Sequence, residues 1–324
     1  MCGIAGMFVP RDSNVPEVAL TAMADAMIHR GPDGEGHWIR NDMRYQTIFR
    51  RLAIIDLKTG DQPLASANGK VILSGNGEIY NYLELRARFS GYRYKSRGDM
   101  ETVHAAREAL GDDYPGALNG MYALALYDDA KHSLELLRDR AGVKPVYWAE
   151  LDGGGIVYAS EIKAIFASGL IYPEINEHVI SAYLAHGYVP GPDTLFKRVK
   201  KLQPGHRLSI DATGKINIKA YWRPQPGDHG PARGDVTEHL LSLLRDSVRL
   251  QLRSDVTIGT LLSGGLDSGL LVALAAEQTS HPLKTFTVRF DGGVDETPLA
   301  GAVAQRYGTD HNVIDVNAGD AIDH

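Results

Sequence analysis

The 324-residue sequence contains a single cysteine, and it stands second. One thiol cannot form an internal disulfide, so no covalent framework replaces a core, and a reducing cytoplasm is the expected setting. No apolar run approaches the ~20 residues that span a bilayer. The N-terminus lacks a basic stretch followed by an apolar one, so no secretory signal is expected. Charge is sparse in blocks and modest in sum, at −6. That predicts neither nucleic acid nor an anionic membrane surface as a partner. Apolar residues make up 44% and charged residues 23%, as in a globular protein, and the length suits about two domains.

Cys2 follows the initiator directly. Removal of Met1 would leave one residue carrying both a thiol and a free α-amine. That amine titrates near pH ~8 and can serve the sulfur as a general base. A lone cysteine is more often buried filler than a nucleophile. Cys2 alone favours packing, and the residues that follow reverse the balance.

Ile4 to Val9 is an apolar run that predicts a buried strand. Asn14, Pro16 and Glu17 predict a helix start, and Leu20, Met23, Ala24, Met27 and Ile28 recur at helical spacing. His29-Arg30-Gly31-Pro32-Asp33 predicts a turn. Strands are expected over Tyr45 to Phe49 and Leu52 to Asp56, with Arg51 between them, a side chain suited to gripping a carboxylate. Another strand, Val71 to Leu73, runs into Asn76-Gly77-Glu78. Asn-Gly between apolar runs signals a hairpin turn. It also suits an oxyanion hole, with the Asn76 amide and an unobstructed Gly77 N–H as donors. A helix is expected from Tyr82 to Phe89. Asp99 opens the next one, as a helix cap or as a carboxylate reading a substrate ammonium.

Cys2-Gly3-Ile4, His29 to Asp33, Arg51 to Asp56, Asn76 to Asn81 and Asp99 occur in order. Together they resemble the glutaminase domain of class II glutamine amidotransferases, the N-terminal-nucleophile type. The likeness continues through Gly120 to Asp128, Arg138 to Pro145 and Ala159 to Lys163, stretches that read as structural. It implies an αββα sandwich in which Cys2 attacks the side-chain amide of glutamine while Asn76 and Gly77 hold the oxyanion. Arg51 would bind the α-carboxylate, with Glu78 and Asp99 at the α-amine and Leu52, Ala53, Ile54 and Ile55 lining the pocket. Two departures bear on pocket geometry. Phe49 stands where members commonly carry histidine, and Gly98 and Met100 flank Asp99 where serine and threonine are common.

Pro- and Gly-rich sequence around Trp222 to Pro231 reads as a loop. Val236 to Arg253 is an amphipathic helix. Val256 to Leu262 then runs into Ser263-Gly264-Gly265-Leu266-Asp267-Ser268, with a helix expected over Leu270 to Glu277. A Gly-rich loop between a strand and a helix N-terminus reads either as an ordinary connecting turn or as an anion site, where backbone N–H groups and the helix dipole converge. No Gly-Lys-Ser/Thr closes it, which excludes the other common phosphate loop. The loop resembles the pyrophosphate-binding motif of N-type ATP pyrophosphatases. The resemblance implies backbone from Leu262 and Val288 at the adenine, Ser263, Gly264, Gly265 and Ser268 around pyrophosphate, and Asp267 supporting Mg²⁺. Strands over Lys284 to Phe290 and after Gly308, with a helix through Tyr307, predict a parallel α/β sheet.

The combination resembles glutamine-hydrolysing asparagine synthetases. The expected organisation is a glutaminase domain over 1–170, a connection over 171–235 and a partial synthetase domain over 236–324. The implied substrates are glutamine, aspartate and ATP, the cofactor is Mg²⁺, and a homodimer is left open. The family's second Ser-Gly-x-Gly-x-Asp-Glu motif is missing before His324. The expectation is therefore an incomplete or vestigial second half. Two alternatives stand beside the leading one: a related amidotransferase with another carboxylate acceptor, and a glutaminase-only or binding module.

Overall fold

Strand β1 (Gly3–Phe8) is buried along its whole length and on both faces. Its side chains alternate between two cores, as a period of two requires. Ile4 and Phe8 enter the layer between two sheets, whereas Ala5 enters a layer beneath helices. The computed structural model describes residues 1–225, 236–290 and 295–316. It divides into two units, Met1–Gln225 and Pro226–His324.

The first unit continues with α1 (Leu20–Asp25), β2 (Gly34–Ile39), β3 (Tyr45–Arg51), β4 (Leu64–Ala65) and β5 (Val71–Ile79). Next come α2 (Tyr82–Arg88), α3 (Glu101–Leu110), β6 (Gly120–Asp128), β7 (Ser133–Arg138), β8 (Tyr147–Glu150) and β9 (Ile156–Ala159). It closes with α4 (Ile162–Ala167), α5 (Ile180–His186), β10 (Lys200–Lys201), β11 (His206–Ile210) and β12 (Ile216–Ala220). One antiparallel sheet runs β10-β8-β9-β1-β3-β2 and the other β12-β11-β7-β6-β5-β4.

Phe49, Tyr127 and Tyr158 fill the space between the sheets. Helices α1 and α4 cover the first sheet with Met23 and Ile165, and α2 and α3 cover the second with Leu85 and Val103. The result is the αββα sandwich. Segment 171–225, expected as a connection, contributes β10 to the first sheet and β11 and β12 to the second.

Three local expectations are corrected. Helix α1 begins at Leu20, without a side-chain cap, so Asn14 does not start it. Residues 52–56 are a loop: β3 ends at Arg51, and Asp33 Oδ2 accepts the Ala53 N–H at 2.8 Å, off the sheet. Asn76-Gly77 is not a hairpin turn. Both lie inside β5, opposite Ala123 and Tyr122 of β6, because pairing continues through them to Ile79 and Gly120.

The second unit alternates α6 (Val236–Gln251), β13 (Gly259–Leu261), α7 (Leu266–Ala276), β14 (Lys284–Phe290), α8 (Thr297–Tyr307) and β15 (Asp310–Val316). Its sheet is parallel, in the order β13-β14-β15, over a core of Val248, Leu262, Val272 and Leu274. Helix α7 starts at Leu266, four residues before the apolar run that suggested Leu270, because Leu266 and Asp267 form its exposed first turn. Among the described residues, no helix is long and apolar enough to cross a membrane.

Close approach of β1 to its neighbours requires glycine at position 6. A Cβ there would lie 2.4 Å from the Gln46 carbonyl oxygen and 2.6 Å from the Tyr158 hydroxyl. Gly6→Ala is expected to destabilise the first unit by about 2 kcal/mol through overpacking. Thermal unfolding by circular dichroism checks this; an unchanged midpoint would show that β1 can shift aside.

Candidate active site

Cys2 sits at the entrance to β1, half-buried against the inter-sheet core. Arg30 Nε donates to the Cys2 carbonyl at 2.9 Å, and Arg30 Nη1 pairs with Glu161 Oε1 at 2.9 Å. Glu161 also meets His29 Nε2 at 2.8 Å and Lys163 Nζ at 3.3 Å. Ser160 Oγ accepts the Ile4 N–H at 3.0 Å. The backbone around the thiol is thus fixed from α4's entrance and from the 29–33 turn. Sequence reasoning gave Arg30 and Glu161 no part in the site. The available signal was an arginine in a turn motif, which usually reads as solvated; here it is 7% exposed.

One cavity takes its lining from Cys2, Arg51, Asn76, Gly77, Glu78 and Asp99, with Leu52, Ile54 and Ile55 on one wall. The first-domain residues expected at a site are therefore together, except Ala53, whose N–H is held by Asp33 outside this lining. Cys2 Sγ accepts the Leu52 N–H at 3.3 Å. Burial raises its pKa above the ordinary thiol value; that N–H, the nearby N-terminal amine and Arg51 oppose the shift, and Asp99 adds to it.

Asn76 is fully buried, yet neither Oδ1 nor Nδ2 has a hydrogen-bond partner. A buried carboxamide with both ends unmet costs a few kcal/mol unless something enters to pair with it. Gly77 has φ +143°, and a Cβ there would lie 1.9 Å from the Met121 carbonyl oxygen. Only glycine lets β5 pass β6 at this point.

Two carboxylates share the cavity. Glu78 is pushed up to about 7, by burial first and then by Asp99, with Lys144 opposing. Its Oε1 is buried and unpartnered. Asp99 rises to about 6 through burial, although its Oδ2 accepts the Ile79 N–H at 2.7 Å. That bond runs to β5, while the N–H groups of Asp99 and Met100, at the entrance to α3, also support the carboxylate. Both groups would return toward full ionisation beside a cation.

Arg51 is 8% exposed and engaged from two sides. Its Nη1 meets Asp61 Oδ1 at 2.8 Å, and its Nη2 donates to the Asp56 carbonyl at 2.5 Å. The Asp61 side chain is 82% exposed, a solvated partner that another carboxylate can replace at little cost. Asp56 accepts the Thr59 N–H at 2.9 Å and the Arg97 N–H at 2.8 Å, tying the two loops that frame the cavity.

In the second unit, Ser263 to Ser268 bridge β13 and α7. Ser263 Oγ and Ser268 Oγ lie 2.8 Å apart, and the Gly265 N–H donates to Ser263 Oγ at 3.2 Å. A Cβ at Gly265 would sit 3.1 Å from Ser263 Oγ, inside the bowl, and one at Gly264 would meet Leu299 at 3.1 Å. Asp267 is exposed in the first turn of α7. Backbone N–H groups at an eleven-residue helix's start, two hydroxyls and one carboxylate suit a phosphate chain with a divalent ion. The Leu262 N–H is already donated to the Phe286 carbonyl at 2.8 Å, and the Leu262 carbonyl accepts from Thr287 Oγ1 at 2.5 Å. Val288 lies in β14, 40% exposed.

The sequence profile of the glutamine amidotransferase domain matches residues 1–222, and that of asparagine synthase matches residues 239–324. Glutamine-hydrolysing asparagine synthetase 1 of Bacillus subtilis is 33% identical over 318 residues, covering 96% of this chain and 49% of the relative. Asparagine synthetase 2 of the same organism is 35% identical over 305 residues, covering 89% and 40%. The chain spans about half the length of the curated relatives it matches. Among solved structures, glutamine phosphoribosylpyrophosphate amidotransferase from B. subtilis aligns with a TM-score of 0.50 at 14% identity. That alignment covers 96% of this chain and 65% of the other, a likeness of fold.

The raised Glu78 pKa sets a stability slope. A carboxyl whose folded pKa of about 7 exceeds its ordinary 4.5 stabilises the fold below pH 4.5 and loses that contribution as pH rises through 7. Glu78→Gln is expected to match the wild type at pH 4 and to melt roughly 3 °C higher at pH 8. Melting curves from pH 4 to 8 check this; parallel curves for the two proteins would show that Glu78 is ionised throughout.

Proposed function

The chain belongs to the glutamine amidotransferase family, and from that premise we propose that it hydrolyses glutamine at Cys2 and directs the ammonia to asparagine synthesis. One observation carries the first half. The fully buried Asn76 carboxamide, unpartnered at both ends, shares a cavity with Cys2 and with the raised carboxyls of Glu78 and Asp99. A substrate with a neutral reacting amide and a zwitterionic end complements that set.

The ammonium would settle against Glu78 and Asp99, drawing both into the ionised form. Its carboxylate would replace Asp61 on Arg51, a bidentate partner exchanged for a solvated one. With Met1 removed, the α-amine of Cys2 takes the thiol proton, and Sγ adds to the amide carbon. Asn76 Nδ2 and the Gly77 N–H meet the oxyanion. The proton passes to the leaving nitrogen, the C–N bond breaks, and ammonia departs. Water then cleaves the thioester to glutamate, restoring the thiol. A free thiol in this role suits the cytoplasm.

In the second unit, Ser263, Gly264, Gly265 and Ser268 would cradle the phosphates of ATP, with Leu262 and Val288 at the adenine. The Leu262 N–H is already used by β14, so its carbonyl, with a second lone pair, is the group left to offer. Asp267 would hold Mg²⁺ together with phosphate oxygens, the ion neutralising charge on the leaving pyrophosphate. The aspartate β-carboxylate would attack the α-phosphate, releasing pyrophosphate, and ammonia would displace AMP to give asparagine. A homodimer remains the assembly to test by light scattering.

Purified chain is expected to lack Met1 by mass spectrometry and to release glutamate from glutamine. Cys2→Ser should abolish release, Asn76→Ala should lower kcat about 10²- to 10³-fold, and Arg51→Ala should act mainly on KM. With ATP, Mg²⁺ and aspartate, asparagine and pyrophosphate should form in equal amounts. Glutamate alone would confine the activity to the first unit, and pyrophosphate formed only with another carboxylate would replace aspartate as the acceptor.

A further inference from the structure

The stretch Arg138 to Pro145 reads from sequence as a turn with no part in chemistry, and its backbone behaves that way. Asp139 Oδ1 accepts the Val143 N–H at 2.9 Å, and Oδ2 accepts the N–H groups of Lys144 at 2.9 Å and Tyr122 at 3.1 Å. Arg138 donates to the carbonyls of Lys144 at 2.9 Å, Leu202 at 2.6 Å and Gly142 at 2.6 Å. Six hydrogen bonds therefore fix the turn through main-chain atoms. None of them uses the Lys144 side chain.

That side chain lies instead on the lining of the cavity that holds Cys2 and Glu78, 5% exposed. Among the described residues, its ammonium has neither a hydrogen bond nor an ion pair. The stem is buried while the ammonium itself is not among the buried unpartnered atoms, so it opens to the cavity with no fixed partner, a charge free to act on what shares that space. The other cationic side chains near the thiol each have a carboxylate partner: Arg30 is paired with Glu161 and Arg51 with Asp61. Lys144 is the one of these three cations that no carboxylate pairs with among the described residues, and its charge couples to Cys2.

We propose that Lys144 is a positioning residue for the nucleophile: its ammonium, held on a rigid turn, supplies the uncompensated positive charge that favours the Cys2 thiolate as it forms. This rests on Cys2 being the nucleophile. The charged and titratable groups facing Lys144 are Arg30, Cys2, Asp139, Glu78 and the N-terminal amine. Those facing the thiol also include the N-terminal amine, Asp99 and Arg51. Burial and Arg30 lower the Lys144 pKa, whereas Cys2, Asp139 and Glu78 support its charge. A cation beside a thiol lowers the thiol pKa, which offsets the penalty that burial places on Cys2.

The sequence's single cysteine makes the test direct, because iodoacetamide alkylation of the full chain reads Cys2 alone. Alkylation rate against pH gives the thiol midpoint. Lys144→Met and Lys144→Gln are expected to move it up by about one unit, to cut kcat for glutamate release about tenfold at pH 7, and to leave KM for glutamine nearly unchanged. Lys144→Arg keeps the charge and should keep the wild-type midpoint. Two results would overturn the proposal. One is an unchanged midpoint in a neutral variant with wild-type melting. The other is a rise in KM alone, which would assign the ammonium to Glu78. Failure of the glutaminase reading is separate: it would show as no glutamate from the wild type, whatever the alkylation profile.

Discussion

The position of β1 is the constraint on which the first unit depends. It is paired on both edges, to β3 and β9, and buried on both faces. A strand so enclosed has one register, because a slip of one residue would turn every side chain to the wrong core. Cys2 precedes it directly, Arg51 ends its neighbour β3, and β5 faces it across the inter-sheet core. Three cavity groups are thereby located by sheet geometry before any of them touches a ligand. The 52–61 loop adds the fourth side, anchored through Asp33, Asp56 and the thiol itself.

Loss of water explains the electrostatics of this cavity in one stroke. It raises the thiol of Cys2 and the carboxyls of Glu78 and Asp99, and it lowers the ammonium of Lys144 and the N-terminal amine. Each group is pushed toward its neutral form. Charge on the inner wall is thereby made costly without being removed: the Lys144 ammonium and the Arg51 guanidinium share the cavity with the carboxyls of Glu78 and Asp99. A zwitterion entering it would restore charge on both sides at once, through contacts that water would otherwise weaken.

Much of this was legible from residue order. Strand β14 was expected over Lys284 to Phe290 and forms over those residues, because β-branched and aromatic residues (Thr285, Phe286, Thr287, Val288 and Phe290) fill it between Pro282 and Gly292. Other features depended on tertiary pairing that local chemistry does not encode. Asn76-Gly77 carries the strongest short turn signal, yet nine residues of β6 hold it in a strand. Leu52 to Asp56 is apolar enough for a strand, yet it leaves the sheet, because its N–H groups are taken by Asp33 and by Cys2 Sγ. Arg30 and Lys144 are the plainer omissions. A charged side chain is read as solvated by default, and only the fold reveals that both are buried against the nucleophile.

The turn at residues 138–144 separates two tasks usually carried by the same atoms. Asp139 and Arg138 hold it entirely through peptide groups, which every amino acid but proline supplies alike. The side chain at 144 is therefore a passenger on a fixture that does not need it. Variation at this codon can retune the reactivity of the thiol while the scaffold stays intact, so divergence in catalytic temperament within the fold can proceed by single substitutions and need not await compensating change in the core.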